Sequence, residues 1–202
     1  MLGRKEKTMA LTTDTLTIWM NKFADKVSTN KQYLSDLDTP IGDGDHGFNM
    51  DRGMTAVKEK LATKPADLTS GFKTIAMALI STVGGASGPL YGTAFLEMAK
   101  KSTSTDDIGE LLDAALAGIE MRGGAKPGDK TMVDVWNTLV PEVKSGNLTE
   151  EKIKDAVDAT KDMIAKKGRA SYLGERSKGH IDPGSQSSGY LFEAMLETEG
   201  LL

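Results

Sequence analysis

Cysteine is absent from the 202 residues, which excludes disulfides, thiolate metal sites and cysteine nucleophiles and agrees with a reducing compartment. Soft-metal chemistry is disfavoured with it. Basic charge is in deficit: 25 lysines and arginines face 29 aspartates and glutamates, a formal net charge of −4, which is the wrong balance for a general nucleic-acid binder. No apolar run reaches the roughly 20 residues that a membrane helix needs. The stretch Met1 to Lys7 is charged and lacks the apolar region of a signal peptide. Residues 1–10 therefore read as a disordered leader or cloning remnant and residues 11–202 as one domain. The expected address is cytoplasmic, with no nucleic acid and no membrane as partner. Strand-like alternation of apolar and polar residues is missing as well. Histidine occurs only twice, at His46 and His180.

What the chain does have is helical spacing of its apolar residues. Leu16, Trp19, Met20, Phe23 and Val27 share one face, as do Met50, Met54, Val57 and Leu61. The pattern repeats through Phe72, Ile75, Leu79 and Val83, then Leu90, Ala94, Phe95 and Met98, then Ile108, Leu111, Leu112, Ala115 and Ile119. Met132, Val135, Trp136, Leu139 and Val143 follow, then Ile153, Val157, Thr160 and Ile164, and finally Leu191, Ala194 and Met195. An apolar share of 39% over this length can fill one substantial core. The expected fold is all-α, a single domain of about eight antiparallel amphipathic helices in a bundle or barrel. The methionine and aromatic stripes belong to its core.

Glycine is plentiful at 22 residues, and most of it gathers in four loops. The first, DTPIGDGDHGFN, crowds Asp38, Asp43 and Asp45 into eight residues. Carboxylates this close repel one another and are best tolerated around a hard divalent cation, with magnesium holding phosphate the natural candidate. Two other motifs fit poorly. Gly42, Gly44 and Gly47 match G-x-G-x-x-G, but the two acids between them would expel a pyrophosphate that no metal neutralised. A calcium EF-hand loop begun at Asp43 ends on Met54, and one begun at Asp38 ends on Asn49, where a bidentate glutamate belongs. A solvated acidic turn capping the next helix is the plain alternative.

The second loop, GGASGPLYG from Gly84 to Gly92, is suited to bring backbone N–H groups close to phosphate oxygens at a helix N-terminus. A tight turn between packed helices would use the same glycines. No Gly-Lys-Ser/Thr follows, so it is not a Walker A loop. The third loop is RGGAKPGDKTM, from Arg122 to Met132. The fourth, from Lys166 to Gly189, sets Lys166, Lys167, Arg169, Arg176 and Lys178 against Glu175 and is too long for a simple connection. Its basic surplus would offset phosphate charge, or is simply solvated.

Taken in order, DTPIGDGDHGFN, GGASGPLYGT, PGDKTM-x-DVW and KGRASYLGERS-x-GH-x-DPGS make the chain similar to the L-subunit family of dihydroxyacetone kinases. The resemblance runs from about Leu11 to the C-terminus. It implies an up-and-down helical barrel with a nucleotide (ADP or ATP) and two Mg2+ ions at one end. By the same resemblance, Asp38, Asp43 and Asp45 coordinate the metals, and His46, Gly47, Phe48 and Asn49 form a nucleotide-contacting turn. Ala86 and Ser87 fall in a phosphate loop, Gly123 and Met132 near the base and sugar. Arg169 stands on the phosphate side, and Asp182, Pro183 and Gly184 form a closing segment. His46 is expected to donate a hydrogen bond to phosphate, and His180 to be structural or partner-facing.

The function implied is phosphoryl transfer to dihydroxyacetone held by a separate K subunit, with Asp38, Asp43, Asp45 and Arg169 as the catalytic set. This chain contains no K portion and is expected to act only with partners. The bacterial systems of the family rephosphorylate bound ADP in place from an M subunit of the phosphotransferase system. Use of free ATP, or a nucleotide-occupied adaptor role, is the alternative.

Overall fold

The computed structural model describes residues 10–202, and its regular elements are helical throughout. Nine of the ten residues read as a leader lie outside the described residues. The tenth, Ala10, pairs with Asp107 in an isolated β-bridge. Eight α-helices follow: α1 (Thr13–Asp38), α2 (His46–Leu61), α3 (Leu68–Thr82), α4 (Ser87–Lys101), α5 (Ile108–Gly123), α6 (Met132–Lys144), α7 (Glu150–Ala159) and α8 (Pro183–Leu196). Among the described residues, no helix is long and apolar enough to cross a membrane.

Local chemistry sets the helix starts. Thr12 with Thr15, and Asp67 with Ser70, form reciprocal capping boxes at α1 and α3, while Asp107 and Thr149 cap α5 and α7 through their side chains. Each such cap satisfies a backbone N–H that the helix cannot, an effect of about 1 kcal/mol. These four odd-numbered helices start at one end of the molecule, and the even-numbered ones start at the other.

Consecutive helices pack side by side from α1 to α6, and α8 closes the ring against α6 and α1, with α7 lying on α6 and α8. The result is the expected up-and-down barrel. At the closing seam, Trp19 donates its indole N–H to the Leu191 carbonyl at 2.9 Å, and Lys26 pairs with Glu193 and Glu197 at 3.1 and 2.7 Å. The core is a single cluster. Phe95 lies 6.4 Å from Trp19 and 6.3 Å from Phe72, ring centre to ring centre, and Trp136 meets Phe192 edge-on at 5.3 Å. Each buried aromatic of this kind contributes about 1.5–3 kcal/mol by leaving water.

The apolar stripes face inward as expected, with two corrections. Helix α7 stops at Ala159 and passes into a single 3-10 turn, Thr160–Asp162, so Ile164 lies beyond its stripe. Helix α8 begins at Pro183, so the fourth loop is shorter than its glycines and serines suggest. Pro183, Ser185, Ser187, Ser188 and Gly189 are buried first turns of that helix. The three serines make interior hydrogen bonds instead of apolar packing, and apolar periodicity cannot register them.

Candidate active site

The even-numbered helices all open onto one cleft of about 660 Å³. His46, Ser87, Met132 and Pro183, the first residues of α2, α4, α6 and α8, line its wall. Four helix N-termini thus turn their partial positive charge toward a shared space, which favours an anion. The capping pattern sharpens this bias. Thr131 and Asp182 cap α6 and α8, but Asp45 and Ala86 make no side-chain cap to α2 and α4.

Against these dipoles stand the three aspartates. Asp38 ends α1, Asp43 lies in the connecting loop and Asp45 is the N-cap position of α2. One oxygen from each lies within 4.8 Å of the others. A carboxylate at a helix C-terminus is badly placed relative to that helix's dipole. Asp38 is instead held by the next helix, its Oδ2 accepting the backbone N–H groups of Asp45 at 3.1 Å and His46 at 3.3 Å. Gly42 makes this possible, because a Cβ there would stand 1.9 Å from Asp38 Oδ1. A hard, oxygen-only donor set of three carboxylates beside phosphate-favouring helix ends suits magnesium. The residues therefore fit the metal that the resemblance implies.

His46 is buried at the foot of the cleft. Its Nε2 lies 3.0 Å from Ser187 Oγ and its Nδ1 3.1 Å from Ser87 Oγ. Burial pushes its pKa down to about 4, opposed by the charge of Asp45, so the ring is neutral at physiological pH. Both ring nitrogens lie within hydrogen-bond distance of serine hydroxyls, and Ser87 links His46 to the first turn of α4. Ser187 is fixed in turn by the Tyr91 hydroxyl at 2.8 Å, which also meets Ser188 at 2.9 Å, and Trp136 donates its indole N–H to Ser188 at 3.0 Å. Tyr91 keeps its proton, since burial raises its pKa well above the ordinary range.

The structure brings most of the expected residues together. Asp38, Asp43, Asp45, His46, Asn49, Ala86, Ser87, Gly123, Met132, Arg169, Asp182, Pro183 and Gly184 all line the cleft. Gly47 and Phe48 do not. Gly47 is a packing residue, since a Cβ on it would lie 1.8 Å from the Lys31 carbonyl of α1, and Phe48 is exposed on the outer surface. His180 lies apart, in a shallow depression beside Asp36, Pro40 and Lys161.

Arg169 opens a segment of 3-10 turns, Arg169–Ser177, and reaches back so that its Nη1 lies 2.8 Å from Asp43 Oδ2. The fourth loop thereby covers the aspartate loop. Asp182 accepts the Ser185 N–H at 2.7 Å as cap of α8, and burial pushes its pKa up to about 6 against that hydrogen bond.

Sequence reasoning missed Lys130, Gly42 as the space for Asp38, and the Ser187–Ser188–Tyr91 support beneath His46. A usable signal did exist for α8: Asp182 followed by Pro183 is the N-cap and N1 pairing of a helix start.

Comparisons with known proteins identify the family and the fold. The profile of the DAK2 domain family matches residues 40–197. The ADP-binding subunit DhaL of PEP-dependent dihydroxyacetone kinase 1 from Listeria innocua is 53% identical over 186 residues, covering 90% of this chain and 94% of its own. The corresponding DhaL of Escherichia coli is 40% identical over 205 residues, covering 93% and 97%. In fold, the chain matches the dihydroxyacetone kinase of C. freundii, solved with AMP-PNP and Mg2+, at a TM-score of 0.72 and 22% identity. That match covers 98% of this chain but only 37% of the larger one. The chain belongs to the DAK2 domain family, in the branch formed by the DhaL subunits of dihydroxyacetone kinases.

Proposed function

We propose that this chain is the nucleotide-carrying subunit of a PEP-dependent dihydroxyacetone kinase, a phosphotransferase acting together with separate subunits. The observation that carries the reading is the meeting of an oxygen-only aspartate cluster with the N-termini of α2, α4, α6 and α8 in one cleft. Similarity to ADP-binding subunits over at least nine-tenths of the chain supports it.

Asp38, Asp43 and Asp45 would hold two magnesium ions, which when bound offset the charge of the β- and γ-phosphates. Asp38 is preset for this by the two backbone N–H groups that fix its carboxylate. The uncapped first turn of α4, at Ala86 and Ser87, offers backbone N–H groups to phosphate oxygens. Neutral His46 orients the Ser87 hydroxyl. Arg169 would supply positive charge where negative charge develops, a role supported by its ion pair with Asp43. Gly123, Met132, Pro183 and Gly184 also line the cleft, and base and sugar would rest beside Gly123 and Met132.

No side chain of the cleft is placed as a nucleophile, as phosphoryl transfer between bound groups requires none. The acceptor, dihydroxyacetone on a K subunit, would approach the loop-bearing end. Phe48, Met121 and Tyr172 are exposed at this end, Tyr172 to 87%, and such side chains suit a partner's contact. Dependence on PEP in the relatives' names favours a cytoplasmic M subunit of the phosphotransferase system rephosphorylating ADP in place.

The test is to purify the protein with magnesium and no added nucleotide, denature it, and quantify what is released. Near-stoichiometric ADP is expected. Ready binding of free ATP by an otherwise empty protein would replace the retained-ADP reading with an ATP-consuming one, and binding of neither would overturn the nucleotide reading. In a reconstituted system, Asp43→Asn should sharply reduce phosphorylation of dihydroxyacetone, and unchanged turnover would remove Asp43 from the mechanism.

A further inference from the structure

Lys130 is the one non-glycine residue with positive φ among the described residues, at +60°, and it is 1% exposed. A lysine in the left-handed region and out of water is doubly unfavourable. Burial lowers its pKa, which the charges of Asp182 and Asp162 oppose. Its surroundings explain why it is there. Nζ lies 2.7 Å from the Ser177 carbonyl, 3.1 Å from that of Met163 and 3.4 Å from that of Lys161. Three carbonyl acceptors match the three N–H donors of an ammonium group.

Those carbonyls flank residues 164–176 of the α7–α8 connection, Lys161 and Met163 before them and Ser177 after. The neck they form is closed further by the Ala165 N–H donating to Ser177 Oγ at 2.8 Å, the Lys166 N–H to the Asp129 carbonyl at 3.0 Å, and the Gly179 N–H to the Lys161 carbonyl at 2.8 Å. Beyond the neck, Gly168 and Gly174 take positive φ, and the outward segment carries exposed Tyr172 together with Arg169 on Asp43. The segment is thus an Ω-shaped loop, with a polar neck tied to the third loop by one buried cation.

We propose that Lys130 is a positioning residue that clamps the neck of this loop, and so holds Arg169 over the aspartate cluster. Only the nucleotide arm of its test rests on the function proposed above. Lys130→Met keeps the length of the side chain and removes its donors, leaving the Met163 and Ser177 carbonyls unpartnered while that of Lys161 keeps the Gly179 N–H. Limited trypsin digestion is run with and without added ADP and magnesium, and cuts at Lys166, Lys167, Arg169 and Arg176 are followed by mass spectrometry. In the nucleotide-free variant these cuts should accelerate on the order of tenfold or more, while cuts elsewhere and the helical circular dichroism hold steady. ADP should dissociate about tenfold faster, and adding Arg169→Ala to Lys130→Met should increase that rate little further, since both changes act through one contact.

Loop cleavage at the wild-type rate, or effects of the two substitutions on ADP release that simply multiply, would overturn the proposal. Should Lys130→Met fail to fold, Ser177→Ala removes only the hydroxyl at the neck and is judged by the same two outcomes. If the wild-type protein holds no ADP, the nucleotide reading falls, and the clamp is decided by the cleavage rates alone.

Discussion

Gly42→Ala is the substitution that most directly isolates the geometry proposed to hold metal, because it leaves all three aspartates in place. Gly42 has no positive φ, so alanine strains no backbone torsion there. Its Cβ would instead stand 1.9 Å from Asp38 Oδ1 and 2.7 Å from Asp38 Cγ, where ordinary contact begins at 3.4 Å. The carboxylate must therefore retreat by about 1.5 Å, to the start of ordinary contact. In doing so it surrenders the N–H groups of Asp45 and His46. Hydrogen bonds to a charged group are each worth about 1.5–3 kcal/mol, and partial rehydration of Asp38 would recover some of that. A net loss of about 1–3 kcal/mol lowers the Tm of a chain this long by roughly 3–10 °C.

The larger effect falls on the site. Displacing one of three ligands should weaken magnesium binding at least tenfold to a hundredfold, and misplacement by about 1 Å can slow transfer a hundredfold. Magnesium titration by calorimetry in the presence of ADP reads the first effect, and reconstituted phosphorylation of dihydroxyacetone reads the second. Gly146→Ala is a suitable control. Gly146 sits at φ +68° in the α6–α7 turn with open space around it, so alanine there strains the backbone by about 1 kcal/mol far from the cleft. If Gly42→Ala loses stability like the control but binds magnesium normally, Asp38 does not serve the metal through the geometry described here.

The remaining expectations test other parts of the molecule. Asp182 has a folded pKa raised by burial to about 6 from the ordinary 3.8. The folded state therefore holds its proton more tightly than the unfolded one, and stability should fall as pH rises through the window from about 4 to 6, by at most about 3 kcal/mol. Chemical denaturation of Asp182→Asn across that window should show a flatter profile, and an unchanged slope would assign the effect elsewhere. Arg169→Ala breaks an exposed ion pair worth no more than about 1 kcal/mol, so the Tm should barely move while transfer falls tenfold or more. Unfolding with normal nucleotide affinity per folded molecule would make Arg169 structural. Phe95→Ala removes a fully buried ring lying between Trp19 and Phe72 and should cost about 3–5 kcal/mol in denaturant unfolding.

Much of this architecture is legible in the sequence, and the exceptions share a physical cause. Apolar spacing finds every helix because each buries a hydrophobic face, but it fails over Pro183–Gly189, where the buried face is serine and glycine satisfied by Tyr91, Trp136 and His46. Burial through hydrogen bonds leaves no hydrophobic trace. Lys130 is hidden for the same reason: nothing in GDKTM marks a lysine as interior until the carbonyls from more than 30 residues downstream are in place. Asp43 and Arg169 are likewise far apart in the chain, and only the folded loop makes them partners.

Helix parity alone places the glycine-rich loops together. The four glycine-rich loops occupy the α1–α2, α3–α4, α5–α6 and α7–α8 junctions, while the turns after α2, α4 and α6 hold Gly146 as their one glycine. In an up-and-down arrangement, alternate junctions fall at the same end. Helix parity alone therefore gathers the aspartates, the GGASG turn, the PGDKTM turn and the basic loop into one place, and it makes the N-termini of the even helices face them. The odd helices, at the opposite end, carry ordinary Thr and Asp caps. At the loop-bearing end, α2 and α4 have no side-chain cap from their own N-cap residues; the first N–H groups of α2 are taken by Asp38 and Ser35, while the first turn of α4 is the one that an anionic ligand can complete.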